Sequence, residues 1–262
     1  MTCKMQKGKA DSRTVEAKIN MHNITLISTS HTESGKCNSD ELYKIIESIN
    51  PEVIFEELPP HWSDMFYSDS FDMRYSVYCD NNLLNRRLVV PFEVKCIKKY
   101  KQNYNIKIFP VDIDVNQKSS KYQDEIVFMN FTFMKHDDYI KLDNEQDSLI
   151  AREGFDFLNS DKYWDLLEKK EIIEKSIMES EIHKDRLLHT YKLFHEEQYD
   201  TRENAMLKNI YNYSKKNQYN QAVFLIGVRH RKSIIQKIIE FEKTSETKLN
   251  WTIYGNKQKT YF

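Results

Sequence analysis

The stretch Ala222-Val223-Phe224-Leu225-Ile226-Gly227-Val228-Arg229-His230 decides the fold. Five apolar residues in a row read as a short buried strand of an α/β sheet. The run breaks at a glycine, which suggests a special backbone angle or a close approach, and then delivers a histidine. The same pattern occurs near the other end, where Ile24-Thr25-Leu26-Ile27 leads into Ser28-Thr29-Ser30-His31. Two further runs end in acids: Val53-Ile54-Phe55 before Glu56-Glu57, and Ile106-Lys107-Ile108-Phe109-Pro110-Val111 before Asp112-Ile113-Asp114. Open α/β sheets place ligands and catalysis beyond the carboxyl ends of their strands. Four strand ends that deliver His, Glu or Asp are therefore expected to form one site from distant parts of the chain.

Between the first two strands, Leu42, Ile45, Ile46 and Ile49 follow the i, i+3, i+4, i+7 spacing of a helix with one buried stripe. Ser39 is the expected N-cap, Asp40 and Glu41 suit the first turn, and Asn50-Pro51 stops the helix. A strand-helix-strand unit this compact predicts a parallel crossover. A further helix over about Phe92 to Gln102 leads into the strand at Ile106–Val111. Residues 61–88 carry Trp62, Phe66, Tyr67, Phe71, Tyr75 and Tyr78, which read as a satellite core or as a cover over the strand ends. From about 117 to 200 proline is missing and charges alternate with apolar residues, the mark of amphipathic helices forming a helical subdomain inserted between core strands. Ile234, Ile235, Ile238 and Ile239 predict one more helix, and Leu249–Tyr254 a final edge strand. The expected organisation is a flexible arm over residues 1–20 and a single α/β domain over 21–262, with a mainly parallel sheet flanked by helices.

The 262 residues, 40% hydrophobic and 30% charged, suit a globular chain with a full core. A net charge of −1 gives no reason to expect a nucleic-acid partner. The polar first twenty residues lack a signal-peptide core, and no apolar stretch is long enough for a bilayer, so a cytoplasmic protein with no membrane partner is expected. Cys3, Cys37, Cys79 and Cys96 are widely spaced and read as free thiols.

His31 and His230 stand in matching contexts, and each imidazole can offer a nitrogen to a metal or act as a general base. Glu56 and Glu57 alternate in direction along a strand, so one of the two faces a given site. Asp112 and Asp114 lie two apart and either share a carboxylate site or close a turn. Arg202 falls in the first turn of a helix opened by Asp200, which has capping-box spacing to Glu203. An arginine there is a clamp for an anion, a partner for site carboxylates or a plain surface residue. His183, His189 and His195 recur every six residues, which does not align them on one helix face. There is no phosphate-binding glycine loop, no GxSxG and no HExxH.

Taken together these segments resemble the TraB/PrgY superfamily, which includes GumN-like and TIKI-type proteins and is distantly similar to the erythromycin esterases and ChaN-like proteins. Leu26-Ile27-Ser28-Thr29-Ser30-His31 is similar to the family's first GTxH element, and Pro51-Glu52-Val53-Ile54-Phe55-Glu56-Glu57-Leu58 to its strand ending in Glu-Leu. Arg202-Glu203-Asn204 with Met206 resembles its Arg-Asp/Asn helix start, and Leu225-Ile226-Gly227-Val228-Arg229-His230 its second GxxH element. Val111-Asp112-Ile113-Asp114 resembles an Asp-x-Asp position, and Glu93 an acidic helix start before it. Ser28 stands where the family has glycine, Val228 where it has a small residue, and Ile113 where it has a basic one.

The residues and the resemblance together imply a metal-dependent hydrolase of amide or ester bonds with a peptide or small-molecule substrate. His31, Glu57 and His230 would hold a divalent transition metal (Mn, Co, Zn or Fe) or its water. Asp112 or Glu56 would serve as base or support, and Arg202 would stabilise the oxyanion. A metal-free variant uses a histidine as the base toward water. The alternative from another class is a non-catalytic sensor that binds a peptide or small ligand in the same cleft. Self-association is left open.

Overall fold

The computed structural model describes residues 22–68, 70–71, 90–113, 119–194, 199–255 and 260–261. Strands β1 (His22–Thr29), β2 (Val53–Glu56), β3 (Lys107–Pro110), β4 (Gln221–Gly227), β5 (Leu249–Ile253) and β6 (Thr260–Tyr261) form one sheet in the order β3-β2-β4-β1-β5-β6. The first five run parallel, and β6 pairs antiparallel to β5. The α/β architecture with a mainly parallel sheet is as expected. Leu249–Ile253 is not the edge that the sequence suggested, because β6 covers it.

Alternation along the strands feeds two cores. Ile24, Leu26, Val53, Phe55, Ala222 and Phe224 pack on one face with helices α9 (Asp200–Lys216) and α10 (Arg231–Thr244). Ile27, Ile54, Val223 and Leu225 pack on the other with α1 (Ser39–Ile49) and α3 (Phe92–Asn103). That second core also takes the end of α5 (Asp137–Glu153), the short α6 (Phe155–Leu158) and the start of α7 (Asp161–Ser180). Burying both faces is what a parallel sheet with helical crossovers requires.

Helices α4 (Ser119–Phe133) and α8 (Lys184–Lys192) join α5 and α7 in a smaller cluster around Met129, Phe133, Tyr139, Ile177, Met178 and Leu187. The helical run between β3 and β4 therefore has apolar packing of its own besides its contact with the sheet. In the aromatic segment, α2 (Pro60–Tyr67) buries Phe66 between Trp62 and Phe71. Tyr75 and Tyr78, the arm over 1–20, Asp114, His195, Cys3 and Cys79 lie outside the described residues; Cys37 and Cys96 are free and buried. None of the described helices is long and apolar enough to cross a membrane.

The N-cap of α1 is Asn38, one residue before the expected Ser39. Its side-chain oxygen accepts from the amides of Asp40 and Glu41 at 3.0 and 2.9 Å. Asn38→Ala leaves both amides without that acceptor and should cost about 1 kcal/mol, read as a lower urea midpoint at unchanged slope.

Candidate active site

The sheet register gathers the site. Thr29 lies opposite Gly227, and Glu56 lies between Leu225 and Pro110. The next few residues of each strand therefore emerge at one edge, bringing His31, Glu57, Asp112 and His230 together.

His31 turns away from β1 with a φ of 61°, a left-handed angle that a residue with a β-carbon adopts only where its surroundings hold it. Glu93, in the first turn of α3, supplies that hold. Its Oε1 lies 3.0 Å from His31 Nδ1 and also accepts the hydroxyl of Thr29. Its other oxygen, Oε2, is buried with no partner among the described residues. On the far side of the ring, a β-carbon at position 227 would fall 2.5 Å from His31 Nε2 and 3.2 Å from Glu57 Oε2. Glycine is required there by this close approach, since its φ of −58° is open to any residue.

Glu57 is the centre of the constellation. Its Oε1 takes Arg202 Nη2 at 2.6 Å and His230 Nε2 at 3.2 Å, and its Oε2 accepts the Gly227 amide at 2.6 Å. His31 Nε2 stands 3.7 Å from Oε2. Arg202, in the first turn of α9, also forks onto Asp112 through Nε at 3.0 Å and Nη2 at 2.6 Å. Its Nη1 makes no hydrogen bond to a described residue.

His230 is bound the way His31 is. Its Nδ1 lies 2.8 Å from Glu203 Oε1, and Glu203 Oε2 accepts from Ser233 at 2.5 Å and Lys237 at 2.7 Å. Each imidazole thus has Nδ1 on a buried carboxylate and Nε2 turned to Glu57. They differ in access: the His31 side chain is 42% exposed and that of His230 is 4% exposed. A cavity of about 710 Å³ opens over His31, Glu57, Arg202 and His230. A second of about 480 Å³ adjoins it, and Tyr199 and Arg229 line both.

The electrostatics follow from these contacts. Burial disfavours the charged form of His31, but Glu93 and Glu57 outweigh it and hold the pKa up at about 9. Burial likewise opposes a charge on His230, and Glu57 and Glu203 override it and raise its pKa. Burial pushes Glu57 up, whereas His230, His31 and Arg202 together bring it well below the usual carboxylate range.

A raised histidine stabilises the fold fully below its unfolded pKa of about 6.5, and that stability fades as pH rises through about 9. A depressed Glu57 stabilises it above about 4.3 and loses this as the pH falls. Denaturant midpoints measured from pH 3 to 10 should therefore fall off on both sides of a plateau near pH 5–6. His31→Gln should flatten the alkaline limb.

Of the residues singled out in the sequence, His31, Glu57, Asp112, Arg202 and His230 come together here. Glu56 does not. Its side chain turns away to accept the Ser63 hydroxyl at 2.5 Å and the Tyr67 hydroxyl at 2.7 Å. Burial raises its pKa to about 7. Glu203 does not close a capping box with Asp200: α9 has Tyr199 at its N-cap with no side-chain bond, and Glu203 holds His230 instead. Ser28 is absent from the cluster. Its amide donates to Asn159 Oδ1 at 2.9 Å and its hydroxyl accepts from buried Arg231 at 3.3 Å, bracing β1 against α6 and α10. His183 packs edge-on against Phe128 beside α8 and takes no part in the site.

Comparison of this chain with protein-family models, with curated proteins and with solved structures returns no match.

Among the described residues no three His, Cys, Asp or Glu side chains are placed to hold a metal ion. The reason is visible at Glu57, whose oxygens already accept from His230 and the Gly227 amide, with the cationic Arg202 at 2.6 Å. A metal on Glu57 would face that guanidinium. The residues as arranged do not fit a resident metal.

Proposed function

We propose that this protein hydrolyses an amide or ester bond in the 710 Å³ cavity, with His31 exchanging the proton. The observation that carries this reading is the asymmetry of the two imidazoles: both are bound alike and both line the cavity, but the His31 side chain is 42% exposed and that of His230 only 4%. Neutral His31 accepts a proton at Nε2 as a water oxygen bonds to the carbonyl carbon. It then returns that proton to the leaving nitrogen or oxygen as the old bond breaks. Arg202 Nη1 is the donor for the developing oxyanion. Glu57, Glu93, Glu203 and His230 act through position: they fix the ring, the guanidinium and each other.

The test is turnover of a panel of N-acyl amino acids, dipeptides and simple esters by the purified chain, alongside His31→Ala. Loss of the proton-exchanging group should lower the rate about 10²–10⁴-fold. Because only neutral His31 accepts a proton, kcat/KM should climb about tenfold per pH unit and level off near 9. An unchanged rate in His31→Ala overturns the reading. Saturable ligand binding with no turnover across the panel would make the chain a sensor instead.

A further inference from the structure

Arg229 is a cation of the main cavity that the mechanism leaves unused, and its setting is specific. It lies on the 3₁₀ turn Val228–His230 between β4 and α10, so its backbone is fixed by the same turn that places His230. The residue is exposed, and it lines both cavities. Tyr199 and Tyr163 line the main cavity with it. Gln146 fixes the Tyr163 hydroxyl at 2.8 Å. The guanidinium thus shares its cavity wall with two phenols.

Four of the acids near the site are committed to other cations. Glu57 and Asp112 take Arg202, and Glu203 and Asp200 take Lys237. Glu174 acts on Arg229 electrostatically from the wall of the second cavity but forms no ion pair with it within 4 Å. Among the described residues the main cavity carries His31, Arg202, Arg229 and His230 against Glu57 and Asp147. A planar guanidinium held in a concave wall beside the reacting groups is suited to the two oxygens of a carboxylate.

We propose that Arg229 is a specificity residue that binds a carboxylate of the substrate, so that the cavity takes amides bearing a free carboxyl group near the scissile bond. This rests on the cavity being the substrate site, as proposed above, and it names the class of substrate.

The experiment uses two probes of equal size and different charge, N-acetylglycine and N-acetylglycinamide, titrated into the full chain and followed by amide NMR signals of Gly227 and His230. N-acetylglycine should give saturable shifts and the amide none over the same range. Arg229→Gln should weaken N-acetylglycine at least tenfold. Arg229→Lys, which keeps the charge and loses the fork, should weaken it several-fold, and it serves as the test if the Gln variant does not fold. Equal binding of both probes, unchanged affinity in the variants, or no saturable binding of either overturns the proposal. Binding of the carboxylate without cleavage of any amide leaves this inference standing and removes the hydrolase, so the two failures are distinguishable.

Discussion

Arg202→Met should destabilise the protein by about 3–5 kcal/mol, the cost of leaving buried charges without their partner. The size follows from what Arg202 does for others: Asp112 is 4% exposed and the Glu57 side chain 6%, and Arg202 bonds to both. Methionine fills much of the same volume, so the loss is one of charge rather than packing. The remaining carboxylates must then stay ionised in a poor solvent or take up protons. Urea unfolding at pH 7 measures the loss. Repeating it with Asp112→Asn added should recover part of it, because one uncompensated charge is gone. A change below 1 kcal/mol would show that water reaches both carboxylates and that the fork is not a buried pair.

Gly227→Ala should leave the fold intact and disable the site. The backbone at 227 is already in a region open to alanine, so no strain arises from φ. The new methyl would instead sit 2.5 Å from His31 Nε2, and that ring must move by about an ångström to relieve the clash. Displacement of a reacting group on this scale costs on the order of 100-fold in rate. The expected result is a near-native urea midpoint, a shifted His31 imidazole NMR signal and hydrolysis reduced about 100-fold. A rate within twofold of the parent, with the His31 signal unmoved, would mean that His31 is not confined by the close approach at 227.

The sequence revealed the strands more fully than the site. Each core strand is a short apolar run ended by polar residues, and burial on two faces leaves such runs little ambiguity. Gly227 was legible for the same reason, since glycine at the end of a run of bulky residues marks close approach. The partners of the imidazoles were harder to read. Glu203 sat in capping-box spacing with Asp200, and local spacing alone cannot tell a helix cap from a residue bonded to His230 across the fold. Glu93 stood out only through resemblance, because an acid in a first helical turn is ordinary. Alternation left one of Glu56 and Glu57 for the site without choosing; the resemblance put Glu57 there and kept Glu56 as a base or support, whereas the Glu56 side chain turns away to Ser63 and Tyr67. Ser28 stands where the resembling family has glycine, and only the contacts from Asn159 and Arg231 show its bracing task. Arg229 carried no pattern of its own beyond standing beside His230.

The place of β4 between β2 and β1 has a consequence for how the chain is made. The first, second and third strands leave the ribosome long before the strand that fills the gap between them. At ordinary elongation rates the interval between residues 56 and 221 is roughly ten to thirty seconds. Over that time β1 and β2 have no central partner, and their apolar edges are open to strands of other nascent chains. Crowded translation on shared messages should therefore be the most hazardous moment in this protein's life. Slower synthesis across the helical run would lengthen the exposure rather than aid folding.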